Sequence, residues 1–228
     1  MKKYKKKIII FTTNDSIISI PLVYHIVSQK KYSKYQFDIF FVNSKFLRKL
    51  KILVSIILFG SIPLLFKKFL NSKSKGNLKS FKNVNFIESF ENVKYDYGLS
   101  VYFTKKLKVQ KYKIFNFHLG SLLNQRGSFI FFYKFFEKWE KIDLTFHEIQ
   151  KDFDKGNIIN KKTISGLKKM NAFQTMTLYL ENLNFLIESI DKIKINKDGK
   201  VLKKIKKLYK VPSFTKILCN FLIYLKSK

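Results

Sequence analysis

The chain has 228 residues, of which 46% are hydrophobic and 27% charged, and its formal net charge is +31 at pH 7. That length and balance suit one domain with a small appendage and exclude a disordered chain. The charge has two readings: the Lys/Ile/Phe/Asn-rich, Ala-poor usage of an AT-rich coding sequence, or an anionic partner such as RNA, a nucleotide or an anionic membrane surface.

The first element is predicted at Ile8-Ile9-Ile10-Phe11, an apolar run bounded by Thr12-Thr13-Asn14-Asp15. It reads as a buried parallel strand followed by a helix cap. The apolar run is too short for a secretory signal and no small-residue cleavage site follows it, so a cytoplasmic protein is expected. Ile18 to Val27 reads as a helix with Pro21 near its start, and Phe37 to Val42 as a second strand. This β-α-β opening suits a doubly wound sheet. The chain has no GxGxxG or Walker A pattern, so nothing in it argues for a dinucleotide or ATP.

Ile52 to Phe66 is almost continuously apolar and flanked by lysines. It is shorter than the roughly 20 residues that span a bilayer, and Gly60 and Pro63 interrupt it. Core packing is one reading, and peripheral contact with an anionic membrane is the other. Asn71 to Asn83 reads as a polar connection, Val84 to Ile87 as a short strand, and Asp96 to Phe103 as a strand running into a turn.

The next strand is predicted from Tyr112 and carries Asn116-Phe117-His118. Residues two apart on a strand leave the same face, so the Asn116 amide and the His118 imidazole project together. With the later carboxylate of Asp154 they form a trio suited to acyl transfer to an amine. Amide and charged imidazole stabilise an oxyanion, and the carboxylate orients and charges the imidazole. Phe129 to Glu140 reads as a buried aromatic helix and Ile142 to Ile149 as an alternating strand. His147 on that strand is expected to be structural. Leu167 to Ile190 is expected to form one long amphipathic helix. Lys192 to Lys207 is a Lys-rich stretch with a turn at Asp198-Gly199. Cys219 is the single cysteine, which excludes an intramolecular disulfide, and its apolar neighbours predict a buried thiol. No set of metal ligands stands out, so no metal is expected.

Asn-x-His, Gly120-Ser121-Leu122-Leu123, Arg126-Gly127, the Thr145-Phe146-His147 strand and the Asp154-Lys155-Gly156 loop, in that order, resemble the folate-dependent formyltransferase family. That family includes methionyl-tRNA formyltransferase, glycinamide ribonucleotide formyltransferase and nucleotide-sugar N-formyltransferases. The resemblance runs from about Lys7 to Ile190. It implies an α/β, Rossmann-like domain with a mostly parallel sheet over residues 1–190, and a short C-terminal extension over 191–228. It further implies an enzyme with Asn116, His118 and Asp154 as catalytic residues and N10-formyltetrahydrofolate as co-substrate. Tyr102, Phe103, Phe153 and Gly156 become candidates for binding that co-substrate, and Arg126 and Gly127 for binding the acceptor. Leu208-Tyr209-Lys210-Val211-Pro212 resembles the Tyr-x-x-Pro element of the sugar enzymes and their relatives, and the residues after it are too few for the β-rich C-terminal domain of methionyl-tRNA formyltransferases, so a nucleotide-linked amino sugar is the expected acceptor. Two alternatives remain: a methionyl-tRNA formyltransferase-like enzyme, and a non-catalytic basic protein that binds membrane or nucleic acid. Exposed aromatic surface is expected to support a homodimer. The chain departs from the family pattern where Leu119, Asn124-Gln125 and Ser128-Phe129 replace the usual prolines.

Overall fold

A computed structural model describes residues 5–14, 18–43, 46–59, 78–103, 107, 111–150, 156–193 and 208–226. The apolar run at the start becomes strand β1 (Lys6–Thr13), with residues buried on both faces of the sheet. Helix α1 (Ser19–Val27) follows, with Pro21 in its first turn, where a missing N–H costs nothing. The expected side-chain cap is not there. Ile18 occupies the cap position, and the Ser19 hydroxyl instead donates to the Thr13 carbonyl at 2.7 Å, tying helix start to strand end.

Then come β2 (Tyr35–Val42), α2 (Phe46–Phe59), β3 (Val84–Ile87), β4 (Tyr97–Val101) and β5 (Ile114–Leu119). The described part of the Ile52–Phe66 run is the end of α2. There Val54 and Leu58 pack on the core and Ser55 is fully buried. Residues 60–66 lie outside the described residues, and among those described no helix is long and apolar enough to cross a membrane.

A two-residue strand β6 (Arg126–Gly127) leads to α3 (Ile130–Phe136), then β7 (Ile142–Glu148) and β8 (Ile158–Ile164). The aromatic helix is shorter than expected. Left-handed residues at Phe129 and Lys138, φ 60° and 50°, bracket it.

The single helix expected over Leu167–Ile190 is a 3₁₀ turn (Leu167–Lys169) followed by α4 (Ala172–Glu181) and α5 (Leu183–Lys192). Asn171 and Gln174 cap α4 reciprocally, backbone N–H to side-chain oxygen in both directions at 2.8 and 2.9 Å. The break comes at Asn182, whose backbone leaves the helical region and whose amide donates back to the Leu178 carbonyl.

Strand β9 (Leu208–Tyr209) and helix α6 (Phe214–Lys226) end the described chain. Residues 194–207, where the Asp198-Gly199 turn is expected, lie outside it. Cys219 is exposed, contrary to expectation. Ile217, Phe221 and Tyr224 are the α6 residues that pack inward, and Cys219 lies on another side of the helix.

The main sheet has seven strands in the order β3-β2-β1-β4-β5-β7-β8. Pairing is parallel from β3 to β5, while β7 and β8 run antiparallel. Strand order reverses between β1 and β4, the place where open α/β sheets bind ligands beyond the strands' carboxyl ends. The two faces differ. Ile8, Ile10, Leu99, Phe115, Phe117, Leu119, Leu144 and Phe146 join one large core with the helices. A smaller cluster, Ile9, Phe11, Tyr95 and Ile114, lies on the other face.

Candidate active site

Strand β5 separates its residues by parity. Phe115, Phe117 and Leu119 enter the large core, while Ile114 joins the small cluster on the opposite face. Asn116 and His118 alternate with the first set and so share the face of Ile114. On the antiparallel neighbour β7, His147 stands opposite Asn116 and Thr145 opposite His118. On the parallel neighbour β4, Ser100 stands beside Asn116.

The Asn116 amide is held from both sides. Its Oδ1 accepts from the Ser100 hydroxyl at 3.0 Å, and its Nδ2 lies 3.2 Å from His147 Nε2. His147 is fully buried, with Nδ1 3.0 Å from the Glu148 carbonyl oxygen. A carbonyl can only accept, so Nδ1 carries the proton and Nε2 offers its lone pair to the Asn116 N–H. The orientation of the amide follows from this partner logic. The structural role expected of His147 is thus the fixing of Asn116. Neither that partnership nor Ser100 was legible in the linear sequence, although Asn-x-His facing Thr-x-His across antiparallel strands puts His147 opposite Asn116.

His118 is buried, and its Nε2 donates to the Gln125 carbonyl at 3.0 Å. Gln125 is itself pinned. Its N–H donates to the Ser121 carbonyl, its side-chain oxygen accepts from the Ser121 N–H, and its amide donates to the Lys141 carbonyl. A glutamine side chain therefore fixes the turn where the family pattern has proline. The turn needs Gly120, which has φ +138° and where a Cβ would sit 2.1 Å from the Gln125 carbonyl oxygen and 2.9 Å from His118 Nε2. Thr145 and the Tyr179 hydroxyl hold the backbone on either side of this glycine, through the Gly120 carbonyl and the Leu119 N–H.

Phe153 and Asp154 lie outside the described residues. The described residues on either side of them meet at Glu148, one residue from His147, where the Glu148 N–H donates to the Asn157 carbonyl at 2.9 Å. Gly156, at φ +143°, is buried there, and a Cβ would lie 1.8 Å from the Glu148 carbonyl oxygen.

Tyr102 and Phe103, at the end of β4, face opposite ways. Tyr102 has φ +51° and meets Tyr179 edge-on in the large core. The Phe103 ring contacts Phe11 in the small cluster, on the face that bears Asn116.

Arg126 and Gly127 form β6, which pairs in parallel with β9, so the Arg-Gly and Tyr-x-x-Pro elements meet. Gly127 lets the Tyr209 carbonyl oxygen approach to 2.1 Å from where a Cβ would be. The Tyr209 ring meets Tyr133 at a tilt and Trp139 edge-on, and its hydroxyl donates to Glu137 at 2.7 Å. Arg126 is 8% exposed, and its Nε and Nη1 are buried with no hydrogen-bond partner among the described residues. A buried guanidinium so placed is costly unless an anion joins it. Among the described residues no group of three or more His, Cys, Asp or Glu could hold a metal ion.

No protein-family model and no curated protein matches the sequence. Solved structures do. A 4-N formyltransferase from Francisella tularensis superposes with a TM-score of 0.61 at 18% identity, over 90% of this chain and 76% of that one. A likely sugar N-formyltransferase from Mycobacterium tuberculosis gives 0.60 at 16% identity, over 95% and 86%. An N-formyltransferase from Helicobacter canadensis, in complex with folinic acid and dTDP-3-aminofucose, gives 0.58 at 18% identity, over 90% and 70%. The chain has the α/β fold of the sugar N-formyltransferases, with its Asn-x-His strand inside the sheet.

Proposed function

We propose that this protein transfers a formyl group from N10-formyltetrahydrofolate to the primary amine of a nucleotide-linked amino sugar. The observation that carries the reading is the Asn116–His118 pair on one face of β5, with the amide locked between Ser100 and His147 and the ring locked by Gln125. The ligands in the Helicobacter canadensis structure support both the donor and the acceptor class. The side chains fit such a donor. Asn116 and His118 are hydrogen-bonding groups, and the aromatic ring of Phe103 lies on the same sheet face. The donor supplies an activated formyl carbon when bound.

The Asn116 amide and the His118 ring hold the negative charge that builds on the formyl oxygen as the amine adds. A preorganised donor of this kind contributes about 3 kcal/mol in a water-poor site. With Nε2 donating to Gln125, the contact of His118 with the formyl oxygen is assigned to its Nδ1–H. Asp154 keeps the ring charged and takes the proton that the attacking amine gives up, through water; that proton passes to N10 as the formyl carbon–N10 bond breaks, and tetrahydrofolate leaves. The uncompensated Arg126 receives a phosphate of the acceptor, the anion its burial calls for. We further infer that the protein works in the cytoplasm, where folate donors and nucleotide sugars meet.

The test is tetrahydrofolate release from N10-formyltetrahydrofolate with a panel of nucleotide-linked 3-amino and 4-amino sugars, with methionyl-tRNA alongside. Turnover with one sugar, abolished by Asp154→Asn, is the expected result. Turnover with tRNA alone, or none with any acceptor, overturns the sugar assignment.

A further inference from the structure

Helix α6 is apolar on more than one side. Ile217, Phe221 and Tyr224 pack into the body, yet Leu218, Leu222, Ile223 and Leu225 are 51–63% exposed. Helix α2 packs beside α6, and at its start Phe46 and Leu47 are 74% and 62% exposed. A lysine joins the two helices, since Lys51 of α2 lies over the Phe214 ring of α6. An apolar helix side left in water is unfavourable, so this surface needs a cover.

Charge decides which cover. The sequence has no acidic residue between Asp38 and Glu88, and none after Asp198, so both helices lie in wholly basic stretches. Lys210 is an exposed cation just before α6, and Lys216, exposed in the first turn of α6, also reaches the Tyr133 ring with its Nζ, 4.7 Å from the centroid. A second copy of the chain would bring another +31 against this one, whereas an anionic bilayer attracts the lysines and accepts the leucines together.

We infer that the exposed side of α6, with Phe46 and Leu47 of α2, docks on an anionic lipid surface, the apolar side chains entering the headgroup boundary and the lysines meeting lipid phosphates. This membrane contact goes beyond formyl transfer and does not depend on it. It uses α6 and the start of α2 rather than Val54 and Leu58 of the Ile52–Phe66 run, which pack on the core.

The test is co-sedimentation of the full chain with vesicles of phosphatidylglycerol and phosphatidylcholine, against vesicles of phosphatidylcholine alone. A Leu218→Ser/Leu222→Ser variant changes exposed positions only and keeps the charge. The expected result is binding to the anionic vesicles alone, weakened at least about tenfold in the variant and by added salt. A polarity-sensitive dye on the exposed Cys219 should shift to the blue with the same vesicles. Absence of binding, or equal binding by the variant, overturns the inference. A wild-type dimer that the variant dissociates would also overturn it, by making a second copy the cover.

Discussion

The two faces of strand β5 do opposite work with alternate residues of one six-residue segment. One face sends Phe117 against Tyr179 and Phe185 and stacks Phe115 on Phe146, all inside the large core. The other carries a polar row, Ser100, Asn116 and His147, with His118 and Thr145 beyond it. The difference shows how a buried strand can carry chemistry without weakening its fold. Dispersion and burial on one side hold the backbone in register, so side chains on the other can be polar, provided each is hydrogen-bonded.

This contrast breaks most visibly on the dry side. Phe117→Ala should cost about 3–5 kcal/mol of stability, a large share of what a domain of this size has, and leave the chemistry of the surviving folded fraction intact. Urea unfolding together with turnover per folded molecule checks both halves.

On the other face the expectation reverses. His118→Ala should lower formyl transfer about 10²–10³-fold in a protein that still folds, with a melting temperature lowered by only a few degrees as the Gln125 carbonyl loses its donor. Near-normal turnover would remove His118 from the chemistry.

A smaller effect sharpens the role of the row. His147→Ala should leave the Asn116 N–H without its acceptor and reduce kcat about tenfold, with little change in KM. His147→Gln offers a side-chain carbonyl to the same N–H and should recover most of the loss. A purely packing role would not respond to that replacement.

The smallest effect lies away from this site. Lys134 is buried and donates to the Leu167 and Met170 carbonyls, and burial lowers its pKa to about 8 from an ordinary 10.5. The unfolded chain therefore holds this proton over a window where the folded chain has lost it, so Lys134 makes stability rise as pH climbs from about 8 to 10.5. Denaturant midpoints at pH 7 and pH 10 should show a smaller rise in Lys134→Met.

The elements that the sequence made legible share a property: their signal is local. The apolar run of β1, the proline at the start of α1 and the Asn-x-His alternation each depend on neighbours in the chain. What was missed depends on side-chain bonds, on exposure or on distant partners. Apolar spacing runs unbroken through residues 167–190, and the break at Asn182 comes from a side chain bonding back to its own helix. Strand β8 is polar along much of its length because it is a sheet edge, where lysines suit the exposed side. Cys219 reads as core because the run around it is apolar, yet the helix turns that residue outward. The support of Asn116 by Ser100 and His147 rests on strand register, and the pinning of His118 on Gln125, a position the motif comparison marked only as a departure.

The pairing of β6 with β9 also bears on how the protein matures. Chains emerge from the ribosome amino end first, and the sheet strands β1 to β8 are all made before β9. The strand bearing Arg126 has no ladder partner until Leu208 and Tyr209 arrive. The nascent chain can thus assemble its Asn-x-His face early, but the Arg126 strand is completed only after Tyr209 has been made. A protein released short of Tyr209 would carry the folded sheet without that strand pair.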